Sequence, residues 1–373
     1  FLSCAEAAMA DKPFMKPWVE QIHAYVPGKS RGADGRELVK LSANENPLGC
    51  SPAVQSALME SPQPNLYPDP DASALREAIG ALHGIDPARI VCGTGSGECL
   101  HGAVQAFAGP GDEVLFSRYS FSLYPLLAHK VGAEVVMAEA DDYAPSVDNL
   151  LAAVTERTRV VLLDNPNNPV GTWLPRTEVE RLHSGLPAHV LLVIDQAYAE
   201  FLERDEDDGG LALAAQHDNV LVTRTFAKAY GIAGERVGWA TGAPQLIDAL
   251  NRLRGAFNIT SSGQKAALAA LSDQSFVERS RENNNRELGR FAAAIASMGN
   301  YGLRYSPSKA NFLLVLFEGK LTAEAALAAL AEGGYAVRHL PGQGLPHALR
   351  ITIGTGQQMD EIAAILRKAA EDA

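Results

Sequence analysis

Several things are scarce or missing in this 373-residue sequence, and each absence excludes something. No apolar stretch reaches the roughly 20 residues that span a bilayer, so no transmembrane helix is expected. There are four cysteines, Cys4, Cys50, Cys92 and Cys99, with no CxxC pair and no zinc-like spacing. Neither a disulfide framework nor a metal site is expected, and the thiols read as free groups in a reducing compartment. Positive charge is in deficit: 32 basic against 44 acidic residues leave a net charge of −12. Nonspecific attraction to nucleic acid or to an anionic membrane is excluded on that balance, but a local cationic pocket for a small anion is not. The opening residues, FLSCAEAAMADKP, lack a basic segment followed by a long apolar run, so no secretory leader is expected and the expected location is cytoplasmic. The chain begins on Phe1, and Met9 or Met15 is expected to lie nearer a natural start. Internal repeats and low-complexity tracts are also absent.

What is present is an ordinary globular composition, 47% hydrophobic and 20% charged, with length for one large domain and a smaller one. Between about positions 86 and 241, short apolar runs alternate with helical segments: RIVCG, DEVLFS, AEVVMAEA, RVVLLD, HVLLVID, NVLVTRT and RVGWATG. Near-continuous Val/Ile/Leu runs separated by helices predict an α/β domain whose mostly parallel central sheet is covered on both faces. Past Pro244, two long helical stretches near 243–254 and 262–298 precede NFLLVLF, EAALAALAEGG, YAVRHL, LRITIG and MDEIAAILRKAAEDA, which predict a smaller α/β unit. The expected division is an N-terminal arm over 1–45, a large domain over 46–255 and a small C-terminal domain over 256–373. The proline-rich arm is expected to wrap onto the small domain or a partner subunit.

Ligands of such sheets bind beyond the carboxyl ends of the strands. Reading off those ends gives 93–98, 165–171, 195–198 and 225–228, all polar or glycine-rich. GTGSGE, at 93–98, opens a helix, where backbone N–H groups and glycine suit an anion. The same loop also reads as a plain tight turn, or as part of a dinucleotide fingerprint with its third glycine misplaced. An NADP-dependent dehydrogenase would need Arg118 for the 2′-phosphate and would leave much else idle. In NPNNPVGT, at 165–172, two Asn–Pro steps hold Asn168 in a fixed turn, or simply make a loop. Asp195 follows a buried apolar run, where a carboxylate is costly unless paired. It serves either a structural ion pair or a protonated ring nitrogen.

Only three lysines, Lys130, Lys228 and Lys265, lie between positions 41 and 308, and Lys228 alone directly follows a central strand. It is either a salt-bridging residue or an amine poised for Schiff-base chemistry. A phosphate loop, a strand-end aspartate, Lys228 and Arg236 together match what pyridoxal phosphate requires: a lysine and an acidic partner for the pyridine nitrogen.

With these motifs the sequence resembles the fold type I pyridoxal-phosphate aminotransferases, and within them the histidinol-phosphate branch. LSANENPLG (41–49), YPDP (67–70), GTGSGE (93–98), FSLYPL (121–126), NPNNPVGT (165–172), DQAYAEF (195–201), RTFAKAYGIAGERVG (224–238) and LRITIGT (349–355) follow the family's order over nearly the whole chain. The resemblance implies the roles. Lys228 would hold the cofactor as an aldimine and then act as the base. Asp195 would pair with the pyridinium nitrogen, and Tyr198 and Asn168 with the ring hydroxyl. Phe121, rather than Tyr119, would stack on the ring. The Gly95, Ser96 and Gly97 backbone, Thr225 and Arg236 would bind the phosphate. Tyr67 would reach the neighbouring subunit's cofactor, implying a homodimer with shared sites. Arg350, Arg338, Tyr25 and Asn44 would face the substrates, a small-molecule amino donor and a 2-oxo acid such as 2-oxoglutarate, in ping-pong order. Four positions depart from the family pattern: Ala227 for a common Ser, Gly97 for Asp or Asn, Gln196 for Glu and Cys50 for Pro. Aromatic amino-acid aminotransferases and threonine-phosphate decarboxylases share most of these motifs. A noncatalytic cofactor-binding domain would need a basic nucleic-acid-binding extension that the sequence lacks.

Overall fold

The computed structural model describes residues 13, 15–22, 31, 35–60 and 63–373. Its larger body is built on a seven-stranded sheet. The strands are β1 (Ile90–Gly93), β2 (Glu113–Ser117), β3 (Glu134–Ala138), β4 (Thr158–Asp164), β5 (Leu191–Asp195), β6 (Val220–Thr225) and β7 (Gly238–Gly242). Their spatial order is β1-β7-β6-β5-β4-β2-β3, and β7 alone runs antiparallel to its neighbours.

The unbroken apolar runs have a direct packing reason. Val160 and Leu162 of β4 join the core on one face, while Val161 and Leu163 join the core on the other. Neither face meets water, so polar alternation has no place. Shortening a fully buried side chain such as Leu162 to alanine costs roughly 2–5 kcal/mol.

Strand β7 begins where β1 and β6 end, with Gly238 paired to both Gly93 and Thr225. A Cβ on Gly238 would lie 2.2 Å from the backbone N of Ser96. Glycine there lets helix α1 (Ser96–Phe107) start directly over the strand ends.

The second body carries a four-stranded antiparallel sheet of β8 (Leu303–Ser306), β9 (Phe312–Phe317), β10 (Arg338–Leu340) and β11 (Leu345–Thr352), in the order β10-β11-β9-β8. Arg338 and Arg350 are cross-strand partners in it. The expected helical stretch over 262–298 is in fact two helices, Ser261–Ser272 and α2 (Gln274–Ala296). The break falls at Asp273, whose carboxylate caps the second helix through the Phe276 N–H and whose own backbone leaves the helical region. This segment touches both bodies: Ala266, Ala267 and Ala270 join the first core, Phe291 and Ile295 the second.

Part of the N-terminal region lies along the second body. Val39–Lys40 pairs in parallel with Tyr335–Ala336, and the Thr352 N–H bonds the Leu41 carbonyl at 3.0 Å. That path carries the chain to Asn44. Among the described residues no helix is long and apolar enough to cross a membrane, and no cluster could hold a metal ion. Cys50, Cys92 and Cys99 are free thiols, and Cys4 lies outside the described residues.

Candidate active site

Three strand ends and one helix start converge. Asp164 and Asp195 terminate the adjacent parallel strands β4 and β5 in register. Asn168 follows the first of them, Tyr198 the second, and Lys228 lies three residues past the end of β6. Each parallel strand points its last residue to the same edge, so residues far apart in sequence meet there.

Lys228 Nζ donates to the Ala43 carbonyl at 3.1 Å and lies 5.9 Å from the Tyr198 ring centroid. Burial, then the nearby Arg350 guanidinium, brings its pKa down from about 10.5 to about 8. A fraction of roughly one in ten is then a free amine at pH 7.

Asp195 is 3% exposed. Its Oδ1 accepts from the Thr223 hydroxyl at 3.0 Å and its Oδ2 from the Tyr124 hydroxyl at 3.4 Å. Both donors are neutral, and burial pushes the carboxyl up to about 6. A cation against this carboxylate would be stabilised strongly, because desolvation has already raised its free energy.

Tyr198 receives the Asn44 amide on its hydroxyl at 2.8 Å, and burial pushes its pKa up to about 12. It is therefore a neutral hydroxyl at neutral pH. Asn44 adopts a left-handed backbone (φ 58°) and is fixed on both sides: its N–H bonds the Thr352 hydroxyl, and its carbonyl accepts from Asn311. Asn168 accepts Arg350 Nη1 on Oδ1 at 2.6 Å, while Arg350 Nη2 bonds the Ser42 carbonyl at 2.8 Å. Arg350 is thus buried against the same group of residues. Arg338, its cross-strand partner, is half-buried, and its side chain makes no hydrogen bond or ion pair with any described residue.

The helix start forms the other side. Gly95 has φ 78° and ψ 166°, a conformation essentially restricted to glycine. A Cβ on it would come 2.8 Å from Arg236 Nη2. Arg236, itself left-handed (φ 55°), therefore lays its guanidinium over the first turn of α1. The Gly95 N–H is taken by the Gly93 carbonyl at 2.8 Å; the N–H groups of Ser96 and Gly97 in the first turn, the positive end of the helix dipole and this arginine make an anion cradle. Thr225, at the end of β6, is buried beside it and accepts the Ala227 N–H at 3.1 Å.

Phe121 is half-buried, edge-on to Tyr124 at 5.9 Å, and its N–H bonds Asp164. Tyr119 is committed elsewhere: its ring lies 5.3 Å from Tyr143, under the Arg118 guanidinium. Arg118 is exposed and paired with Glu139 at 3.1 Å, which removes the support for a 2′-phosphate reading. Tyr67 stands apart from the rest, 81% exposed and stacked on Phe257 at 4.5 Å. Tyr25 lies outside the described residues. The sequence reading missed Asp164, Tyr124, Thr223 and Thr352. Asp164 carried the same signal as Asp195, an acid at the end of an apolar run; the others carried no local signal.

The set fits pyridoxal phosphate chemically. It offers an amine of lowered pKa, a buried carboxylate held by neutral donors only, hydroxyl and amide groups beside them, and an anion cradle at one end.

The family model for class I and II aminotransferases matches residues 36–366. The chain is 65% identical over 362 residues to a histidinol-phosphate aminotransferase of Erythrobacter litoralis, covering 97% of this chain and 99% of that one. It is 57% identical to the enzyme of the same name from Zymomonas mobilis, covering 98% and 100%. Among solved structures, the histidinol-phosphate aminotransferase of Sinorhizobium meliloti in complex with pyridoxal-5′-phosphate superposes with a TM-score of 0.88 at 29% identity, covering 98% and 99%.

Proposed function

The chain belongs to the class I and II aminotransferase family, and from that premise we propose that it binds pyridoxal phosphate and transfers the amino group between histidinol phosphate and 2-oxoglutarate. The observation that carries the reading is the meeting of Lys228, Asp195, Tyr198 and Asn168 at adjoining strand ends, beside the cradle formed by α1 and Arg236. The substrate reading rests on relatives that bear the name histidinol-phosphate aminotransferase over nearly their full length.

When bound, the cofactor supplies an aldehyde that condenses with amines and a ring that accepts the electrons released at the substrate carbon. The chain's own groups do the rest. Lys228 Nζ attaches the cofactor and, once displaced by substrate, takes up the proton of the substrate carbon. Its lowered pKa keeps it competent as a base near neutrality. Asp195 holds a proton on the ring nitrogen by presenting a buried negative charge. Tyr198 and Asn168 fix the ring hydroxyl, and Phe121 covers a ring face. The 95–97 backbone, Thr225 and Arg236 hold the phosphate. Arg350 and Arg338 receive substrate anions, since a planar guanidinium binds carboxylate or phosphate through paired hydrogen bonds.

The same proposal places the enzyme in the cytoplasm as a homodimer with shared sites. A tyrosine and a phenylalanine stacked in water, Tyr67 on Phe257, support a surface that a second copy covers. The test is a single-turnover panel. Enzyme loaded with pyridoxal phosphate is mixed with histidinol phosphate, glutamate or phenylalanine, and the visible band is followed. Histidinol phosphate and glutamate should discharge it, with phenylalanine far slower. A phenylalanine rate above that of histidinol phosphate would move the assignment to an aromatic aminotransferase.

A further inference from the structure

Asp164 has no part in the roles given above, yet it is as buried as Asp195, 3% exposed, and stands directly beside it on the sheet. Its Oδ2 accepts two backbone N–H groups, that of Phe121 at 3.1 Å and that of Asn168 at 2.8 Å. Its Oδ1 accepts the Asn167 side-chain amide at 3.2 Å. Phe121 comes from the loop after β2 and Asn168 from the loop after β4. One carboxylate thus pins two loops that are separate in sequence.

We infer that Asp164 is a positioning residue of the cofactor site, holding the backbones of Phe121 and Asn168 while placing a second negative charge beside Asp195. The inference rests on the proposed function, in which Phe121 covers the ring and Asn168 meets its hydroxyl.

Two facts set this apart from an ordinary loop anchor. A neutral asparagine oxygen would satisfy a backbone N–H without the penalty of a second buried charge next to Asp195. The pinned residues, moreover, are a proposed ring-face residue and a proposed ring-edge residue. Burial, and then the neighbouring Asp195, push the Asp164 carboxyl up to about 7 against the pull of the Asn168 N–H. A cation brought to this pair of strand ends relieves both carboxylates at once. The charged and titratable groups that bear on the pair are Asp195 on β5, the Tyr124 and Tyr198 hydroxyls, Lys228, and Arg350 of β11 through the Asn168 side chain.

The experiment uses full-length wild type, Asp164→Asn and Asp164→Ala, each loaded with pyridoxal phosphate. It reads visible circular dichroism per bound cofactor, the pH midpoint of the visible absorbance change, kcat and KM. Removing the charge should lower the absorbance midpoint by about one pH unit in both variants, because a positive charge on the cofactor loses a buried counter-charge. Asp164→Asn keeps an acceptor oxygen and should retain most of the circular dichroism. Asp164→Ala should lose most of it, with kcat down roughly 100-fold and KM changed about threefold at most. Variants that match wild type in midpoint and circular dichroism, whatever happens to their Tm, overturn the inference and leave Asp164 a loop anchor. If Asp164→Ala does not fold, the midpoint of Asp164→Asn decides alone. Wild-type protein that takes up no pyridoxal phosphate overturns the functional reading and this inference with it. Normal wild-type loading with unchanged variants overturns only the inference.

Discussion

The burial that suits Lys228 to its proposed chemistry also destabilises the fold. Its pKa falls from about 10.5 to about 8 on folding. Between those values the unfolded chain holds a proton that the folded chain has released, so stability rises with pH through that window. Below pH 8 the whole penalty is present, roughly 3 kcal/mol at about 1.4 kcal/mol per unit. Cofactor-free Lys228→Met should therefore be more stable than wild type at pH 7, by roughly 1–3 kcal/mol, with the gap closing by pH 10.5. Urea denaturation at the two pH values measures it. A gap of constant size would mean that burial of the ammonium is not its origin.

The substrate roles proposed for the two arginines of the second sheet can be separated residue by residue. Arg338→Ala should lower kcat/KM for histidinol phosphate roughly 100-fold and leave phenylalanine nearly unchanged, since charge-assisted bonds to one anion are lost. Arg350→Ala should impair every substrate with an α-carboxylate and also loosen Asn168, which it holds at 2.6 Å. Residues such as Lys228 and Asp195 were legible because each stands just past an apolar run. Tyr124 and Thr352 were not. Tyr124 meets Asp195 across 71 positions and Thr352 meets Asn44 across 308, and no local pattern encodes such a meeting.

Among the elements, α1 has the most exacting start. Its first turn rests on β7 at Gly238 and opens with the glycine-only backbone of Gly95 under Arg236. Gly95→Ala adds both backbone strain and a Cβ where the guanidinium lies. Affinity for pyridoxal phosphate should fall at least tenfold, and affinity for pyridoxal, which lacks the phosphate, should fall much less. Equal losses for the two ligands would show that the helix start does not bind the phosphate. The strands of the large sheet were legible from their apolar runs. The break between Ser261–Ser272 and α2 was not, because helical periodicity continues across Asp273 and the break depends on how that one aspartate caps.

For the whole molecule, the exposed Tyr67–Phe257 stack is where the proposal of shared sites can be tested. Tyr67→Ala and Lys228→Ala are each expected to be impaired as homodimers. In a heterodimer of the two, one site has both defects and the other has none. Mixing and reassembly should restore about a quarter of wild-type activity, since half of the dimers are mixed and each has one intact site. Mixed dimers that form without regaining activity would place Tyr67 outside the partner's site.

The proposed function depends most directly on covalent attachment of the cofactor at Lys228. Reducing the loaded enzyme with borohydride and mapping the labelled peptide tests it directly. Stoichiometric label is expected on Lys228, within RTFAKAYGIAGERVG. Label on Lys130 or Lys265, or no stable label at all, would contradict it.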